Sequence, residues 1–471
     1  MILRAIPVLA LMAAAAARPA GADVSLHPLF SDGAVLQRGT DVPVWGTAAD
    51  GEAVTVRIQG KTASANTAGG RWRVVLSDLR AGGPFELTVS GANTIRIRDV
   101  HVGEVWVCAG QSNMALPLAA CEEPQAAIAA SANPQLRFFN VPMTGAREPL
   151  DTVPGSWQEC GPATVSAFSG VAYYFGRDLQ KALGVPVGLI HASVGGTPAE
   201  TWMSRKTLES GAPAPAPPAG EAADGPLPLD APSAYYNGMI APLMPFAIRG
   251  VVWYQGESNC VRAYEYRFVF EALIRNWRED WKRGDFPFLF VQLASWDPGP
   301  QCGTVVAELR DSQLAVARKA RNTDMAVITD AGDAKAIHPK KKEPVGARLA
   351  LAARAVAYGE RIVYSGPLYK SMTMEKNGIR LAFDPLGGVL VARGGALTGF
   401  TAAGPDGAFV PATAEIRGDA VVVTAPGLSN PVAVRYGWAN FPDGNLFNQE
   451  GLPASPFRTD DFRLPTQPTG Q

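Results

Sequence analysis

The stretch Val105-Trp106-Val107-Cys108-Ala109-Gly110-Gln111-Ser112-Asn113-Met114 joins two patterns. Val105 to Cys108 is a short apolar run of the kind a buried strand requires. Gly110-Gln111 breaks it, and the residues beyond read as a helix with Ser112 near its start. A strand that passes through a glycine turn straight into a helix opens a β-α-β unit. The rhythm recurs downstream. Apolar runs at Val187–Ile190, Gly250–Tyr254, Phe288–Val291 and Met325–Ile328 alternate with helical patterns at Tyr264–Trp281 and Val305–Arg321. Residues 101–365 are therefore expected to form an α/β domain with a parallel sheet. A stretch at about 208–232, rich in Pro, Ala and Gly, reads as a surface insertion within it.

The flanks follow another rhythm. Residues 23–100 contain short β-branched runs such as Ala53–Ile58, Trp72–Leu76 and Phe85–Val89, spaced by glycine-rich turns, as in a β-sandwich. Residues 366–471 return to strand patterns at Ile379–Phe383, Ala420–Thr424 and Val432–Arg435. Ahead of all this, Arg4 precedes an apolar run from Ile6 to Ala17, and Ala20-Gly21-Ala22 offers small residues for cleavage. Residues 1–22 are thus expected to be a signal peptide, which makes the mature chain periplasmic or secreted. The run is too short to span a bilayer, so no membrane association is expected after its removal.

Composition narrows the partners. With 47% hydrophobic and 18% charged residues, the 471-residue chain forms cores and is not disordered. Its 42 Lys and Arg nearly balance 43 Asp and Glu, which lacks the basic excess of a nucleic-acid binder. Five cysteines and four histidines show no zinc spacing, so neither metal nor other cofactor is expected. An odd cysteine count leaves at least one thiol without a partner in the chain.

The chemistry-bearing residues gather after the expected strands, where open α/β sheets keep their ligands. Ser112 follows the first. A hydroxyl there is either an ordinary helix cap or a nucleophile beside the positive end of a helix dipole. Ala192-Ser193-Val194-Gly195-Gly196-Thr197 follows another, where paired glycines permit close backbone approach or simply form a turn. Trp253-Tyr254-Gln255-Gly256-Glu257 follows a third, and the Gln255 amide has the donors an oxyanion needs. A serine nucleophile needs a base. His27 and His101 lie in or beside the first β unit. His191 ends a strand. His338 lies in the loop between Met325–Ile328 and the helix starting near Pro344, at the active edge of the sheet, and is preferred over His191.

In this order the motifs resemble those of SGNH-type serine esterases, most closely the sialate O-acetylesterase group and its relatives that deacetylate carbohydrates. Gly110-Gln111-Ser112-Asn113-Met114 resembles the nucleophile block, Gly195-Gly196-Thr197 the glycine block, Gln255-Gly256-Glu257 the amide block and Ile337-His338-Pro339 the histidine block. Ser31–Gln37, Tyr236–Met239, Phe286–Leu289, Leu309-Arg310 with Gln313, and Pro456–Asp460 agree, so the likeness covers nearly all of the mature chain. It implies a three-layer α/β/α domain flanked by the two β-rich segments. It implies acyl transfer from an acetylated carbohydrate, with Ser112 as nucleophile and His338 as base. The Ser112 N–H, a glycine N–H at 195 or 196, and the Gln255 side chain would hold the oxyanion. Asn113, Glu257 and Arg310 are the expected substrate-binding residues. The group usually carries an Asp just before this histidine, where Lys335 and Ala336 stand here. Asp333 is the expected substitute, with Asp330 or a backbone carbonyl as alternatives. An esterase for plant polysaccharide such as xylan, and a non-catalytic carbohydrate-binding protein, are the rival readings. No G-x-S-x-G elbow surrounds Ser112, which argues against a generic lipase.

Overall fold

The computed structural model describes residues 23–211, 227–376, 378–428 and 430–469. The expected signal peptide lies outside the described residues, as does residues 212–226 of the expected insertion. No helix among the described residues is long and apolar enough to cross a membrane.

One strand organises the chain. β1 (Thr94–Gly110) pairs through its first half with Gly82–Ser90 of the N-terminal β unit, antiparallel. Its second half is the centre of the large sheet. The expected domain boundary near residue 100 therefore falls inside a strand. Val35–Gln37 lies parallel to β1 at His101–Gly103, on the same transition. Around it the sheet continues with β2 (Asn133–Asn140), β3 (Val187–Ser193), β4 (Gly250–Tyr254), β5 (Phe288–Val291) and β6 (Thr323–Ala326). The order is β2-β3-β1-β4-β5-β6, all parallel, with Trp157–Cys160 added antiparallel at the β2 edge. The chain first builds leftward from β1 and then rightward, so β1 lies at the switch in direction, where the carboxyl ends of β3, β1 and β4 open a crevice.

Helices cover both faces. Those that bear on the site are the single turn α1 (Ser112–Ala115), α2 (Gly170–Leu183), α3 (Ala263–Trp281), α4 (Val305–Lys319) and α5 (Glu343–Val356). Trp253 of β4 lies beside Ala109, three residues beyond Trp106, so the two indoles point to opposite faces. Trp106 packs on Phe175 of α2 and donates to the Tyr358 hydroxyl just beyond α5. Trp253 packs on Phe270 and Trp277 of α3. Thus α2 and α5 cover one face and α3 the other, with α4 bound to α3 through Ser312. α2 shows why the helices start and stop where they do. The Ser169 hydroxyl accepts from Ala172 N–H, and Gly184 closes the end in the left-handed region at φ 64°. Such a cap contributes about 1 kcal/mol.

The C-terminal segment is β-rich, with two four-stranded sheets and smaller pairings. It is bolted to the α/β unit by buried polar bonds. Gln292, just beyond β5, donates to Ser455 Oγ at 2.9 Å, and Asn440 Oδ1 accepts from Val306 N–H at the start of α4. All five cysteines are free thiols, and burial pushes Cys121 up to about 11.

Candidate active site

β1 delivers Ser112 to the crevice through Gly110. At φ 141° this residue has a backbone that side chains rarely adopt, and a Cβ there would lie 2.1 Å from the Tyr254 carbonyl oxygen. Only glycine lets β1 and β4 stay this close. Gln111 fastens the turn to the loop after β4. Its N–H donates to the Tyr254 carbonyl at 3.0 Å, and its side-chain oxygen accepts from the N–H groups of Gly256 and Ser258.

Across 226 residues of sequence, His338 Nε2 lies 2.7 Å from Ser112 Oγ. Partial burial, and then the charge of Lys342, hold this imidazole below its ordinary pKa. Gly195 faces the serine: a Cβ there would stand 3.3 Å from Ser112 Cβ. The N–H groups of Ser112, Gly195 and Gly196 are bonded to no group of the described chain.

The structure departs from several of the expected roles. Asp333 is not a partner of His338. Its carboxylate turns back to accept from Lys335 N–H at 2.9 Å, and it is exposed. Asp330 is held by Arg348 in a two-pronged pair at 2.6 and 2.7 Å. Among the described residues no carboxylate is hydrogen-bonded to His338. Gln255 is fully buried, and both its N–H groups are used, toward the Thr197 carbonyl at 3.2 Å and Asn259 Oδ1 at 2.7 Å. Its oxygen accepts from the Tyr266 hydroxyl. It welds two loops together and has no donor left for an oxyanion. Arg310 is fully buried and donates to the carbonyls of Leu293, Ala294, Ala439 and Asn440. It is a strut to the C-terminal segment.

Asn113 and Glu257 are likewise turned inward, and they reveal a feature the sequence did not announce. Asn113 is fully buried. Its amide donates to Glu257 Oε1 at 2.5 Å and to the Ile337 carbonyl at 2.9 Å, and its oxygen accepts from Lys342 Nζ at 2.5 Å. One side chain thus joins the residue next to the serine, the residue next to the histidine and the loop after β4. Lys342 is itself buried, its ammonium 5.1 Å from the centre of the Tyr254 ring. Burial pushes its pKa down to about 8 against the pull of Glu257, and burial pushes the Glu257 carboxyl up. In sequence, Lys340-Lys341-Lys342 reads as an ordinary solvated run.

His191 stands elsewhere. Its two nitrogens face Asn140 and Ser193.

Comparison with known proteins adds to this geometry. The profile described as "Carbohydrate esterase, sialic acid-specific acetylesterase" matches residues 102–354. The sialate O-acetylesterase of Pongo abelii is 35% identical over 397 residues, covering 74% of each chain. That of Homo sapiens is 34% identical over the same span and coverage. The crystal structure of a carbohydrate acetylesterase from Xanthomonas citri superimposes with a TM-score of 0.87 at 42% identity, covering 93% of this chain and all of that one.

Proposed function

The chain belongs to the carbohydrate esterase family of sialic acid-specific acetylesterases, and we propose that Ser112 and His338 carry its reaction as a dyad on an SGNH-type three-layer domain. It is a carboxylic ester hydrolase whose substrate class is the acetylated carbohydrate. The observation that carries the mechanistic reading is the 2.7 Å approach of His338 Nε2 to Ser112 Oγ.

The steps follow from who holds the proton. Ser112 Oγ attacks the acetyl carbonyl carbon as its proton passes to His338 Nε2. The carbonyl oxygen takes up negative charge, which the N–H groups of Ser112 and of Gly195 or Gly196 receive. The intermediate collapses, the C–O bond to the sugar breaks, and His338 returns its proton to the departing sugar oxygen. Water then attacks the acetyl-serine, giving its proton to His338, and acetate leaves as Ser112 Oγ is reprotonated. With no carboxylate behind it, the imidazole is oriented by its loop, and that loop is held by the bond from Asn113 to the Ile337 carbonyl.

The test is acetate release from O-acetylated sialic acids and O-acetylated plant polysaccharides, together with hydrolysis of p-nitrophenyl acetate. Ser112→Ala and His338→Ala are expected to lose activity by a factor on the order of 10² or more. Equal slow rates in the wild type and both variants would instead mark a binding protein. We further propose that residues 1–22 direct export and are removed. Mass spectrometry of the mature N-terminus checks this, and an intact Met1 in exported protein would refute it.

A further inference from the structure

The end of β3 carries a second set of hydrogen-bonded groups that acyl transfer does not use. His191 Nδ1 lies 3.0 Å from Asn140 Oδ1, and His191 Nε2 lies 2.6 Å from Ser193 Oγ. Burial, opposed by a backbone contact with Met114, pushes the imidazole down to about 4, so at neutral pH the ring is uncharged and carries one N–H. The Ser193 hydroxyl is thereby held in place by Nε2, and it keeps further hydrogen-bonding capacity beyond that one bond.

The group is open and close to the reaction. Ser193 and His191 are half-buried and Asn140 is exposed. Ser193 pairs with Gly110, and Val194 N–H donates to the Gly110 carbonyl at 3.1 Å. Two residues beyond Ser193, Gly195 packs against Ser112. What the arrangement supplies is a fixed hydroxyl beside the loop that packs on Ser112.

We propose that Ser193, aligned by His191 and Asn140, is a sugar-binding group that hydrogen-bonds a hydroxyl of the substrate next to the ester. It rests on the deacetylase reading and specifies one of its contacts. The test compares a pyranoside acetylated at one position with analogues in which each neighbouring hydroxyl is replaced by hydrogen, using wild type, Ser193→Ala and Ser193→Thr. One deoxy analogue is expected to lose about tenfold in kcat/KM with the wild type, the worth of one good hydrogen bond. Ser193→Ala is expected to erase that difference, and Ser193→Thr, which keeps the hydroxyl, to restore it. Turnover of p-nitrophenyl acetate reports that each variant is folded. A hydroxyl preference that survives in Ser193→Ala, or no preference in the wild type, overturns the proposal while leaving deacetylation standing. A wild type that cleaves the aryl ester but no sugar ester overturns both.

Discussion

His338 sits where two influences on its proton add. Its partial burial and the nearby Lys342 ammonium both disfavour the imidazolium, so its pKa falls below the ordinary 6.5. A base must be neutral to take the serine proton. Hence kcat/KM for p-nitrophenyl acetate is expected to rise with pH through an apparent pKa below 6.5 and to be level at neutrality. An acid limb centred above that value would contradict the placement of Lys342. Asn113 acts at the same scale but through others. Asn113→Ala leaves the Ile337 carbonyl and Lys342 without their partner, so the histidine loop loses its register on the serine. A displacement of this kind costs about 10²-fold in kcat. The expected signature is a fall in kcat with little change in KM, and a change confined to KM would refute the positioning role. The network that joins Asn113 to Lys342 could not be found from sequence, because its members stand 144 to 229 residues apart in the chain. Asp333 shows the converse error. Nearness in sequence suggested a triad acid, but a short loop lets the carboxylate satisfy its own backbone first.

At the scale of the elements, the alternation of apolar runs with helical patterns was legible because both faces of the sheet are buried, which forces near-continuous apolar strands. The strand count in the β-rich flanks was less so, since short strands and turns share a composition. What the pattern could not convey is how the first β unit meets the sheet. Glu104 in the middle of β1 is fully buried, bonded by Arg38 at 2.5 Å, Arg249 at 2.8 Å and Gln37 at 2.9 Å. Burial pushes its carboxyl up, but the bond and charge of Arg249, with Gln37 and Arg38, prevail and hold it below the usual range. A carboxyl depressed in the folded state stabilises fully above its unfolded pKa. That contribution is lost as pH falls through the lower folded value. Removing one member of such a cluster strands the others, so Glu104→Ala is expected to cost about 3 kcal/mol in denaturant unfolding. A cost near zero would show that the arginines find new partners at no expense.

For the whole molecule, the strand-end motifs were readable as neighbours because a parallel sheet places all its carboxyl ends on one edge. Gln255 was read as an active-site group for the same reason and Arg310 from the family resemblance, yet both serve the assembly. Gln255 joins the loops after β3 and β4, and Arg310 joins the α/β unit to the C-terminal segment. Residue type told their chemistry but not which side of the backbone would consume it. The unbroken course of β1 has a last consequence. Seventeen consecutive residues serve as a girder shared by the leading β module and the reaction rim. Peeling that module away would strip the neighbours from one half of the girder, and the loosened end leads straight to the nucleophile. The module is therefore no detachable cassette, and swapping it between relatives would carry strain directly into the chemistry.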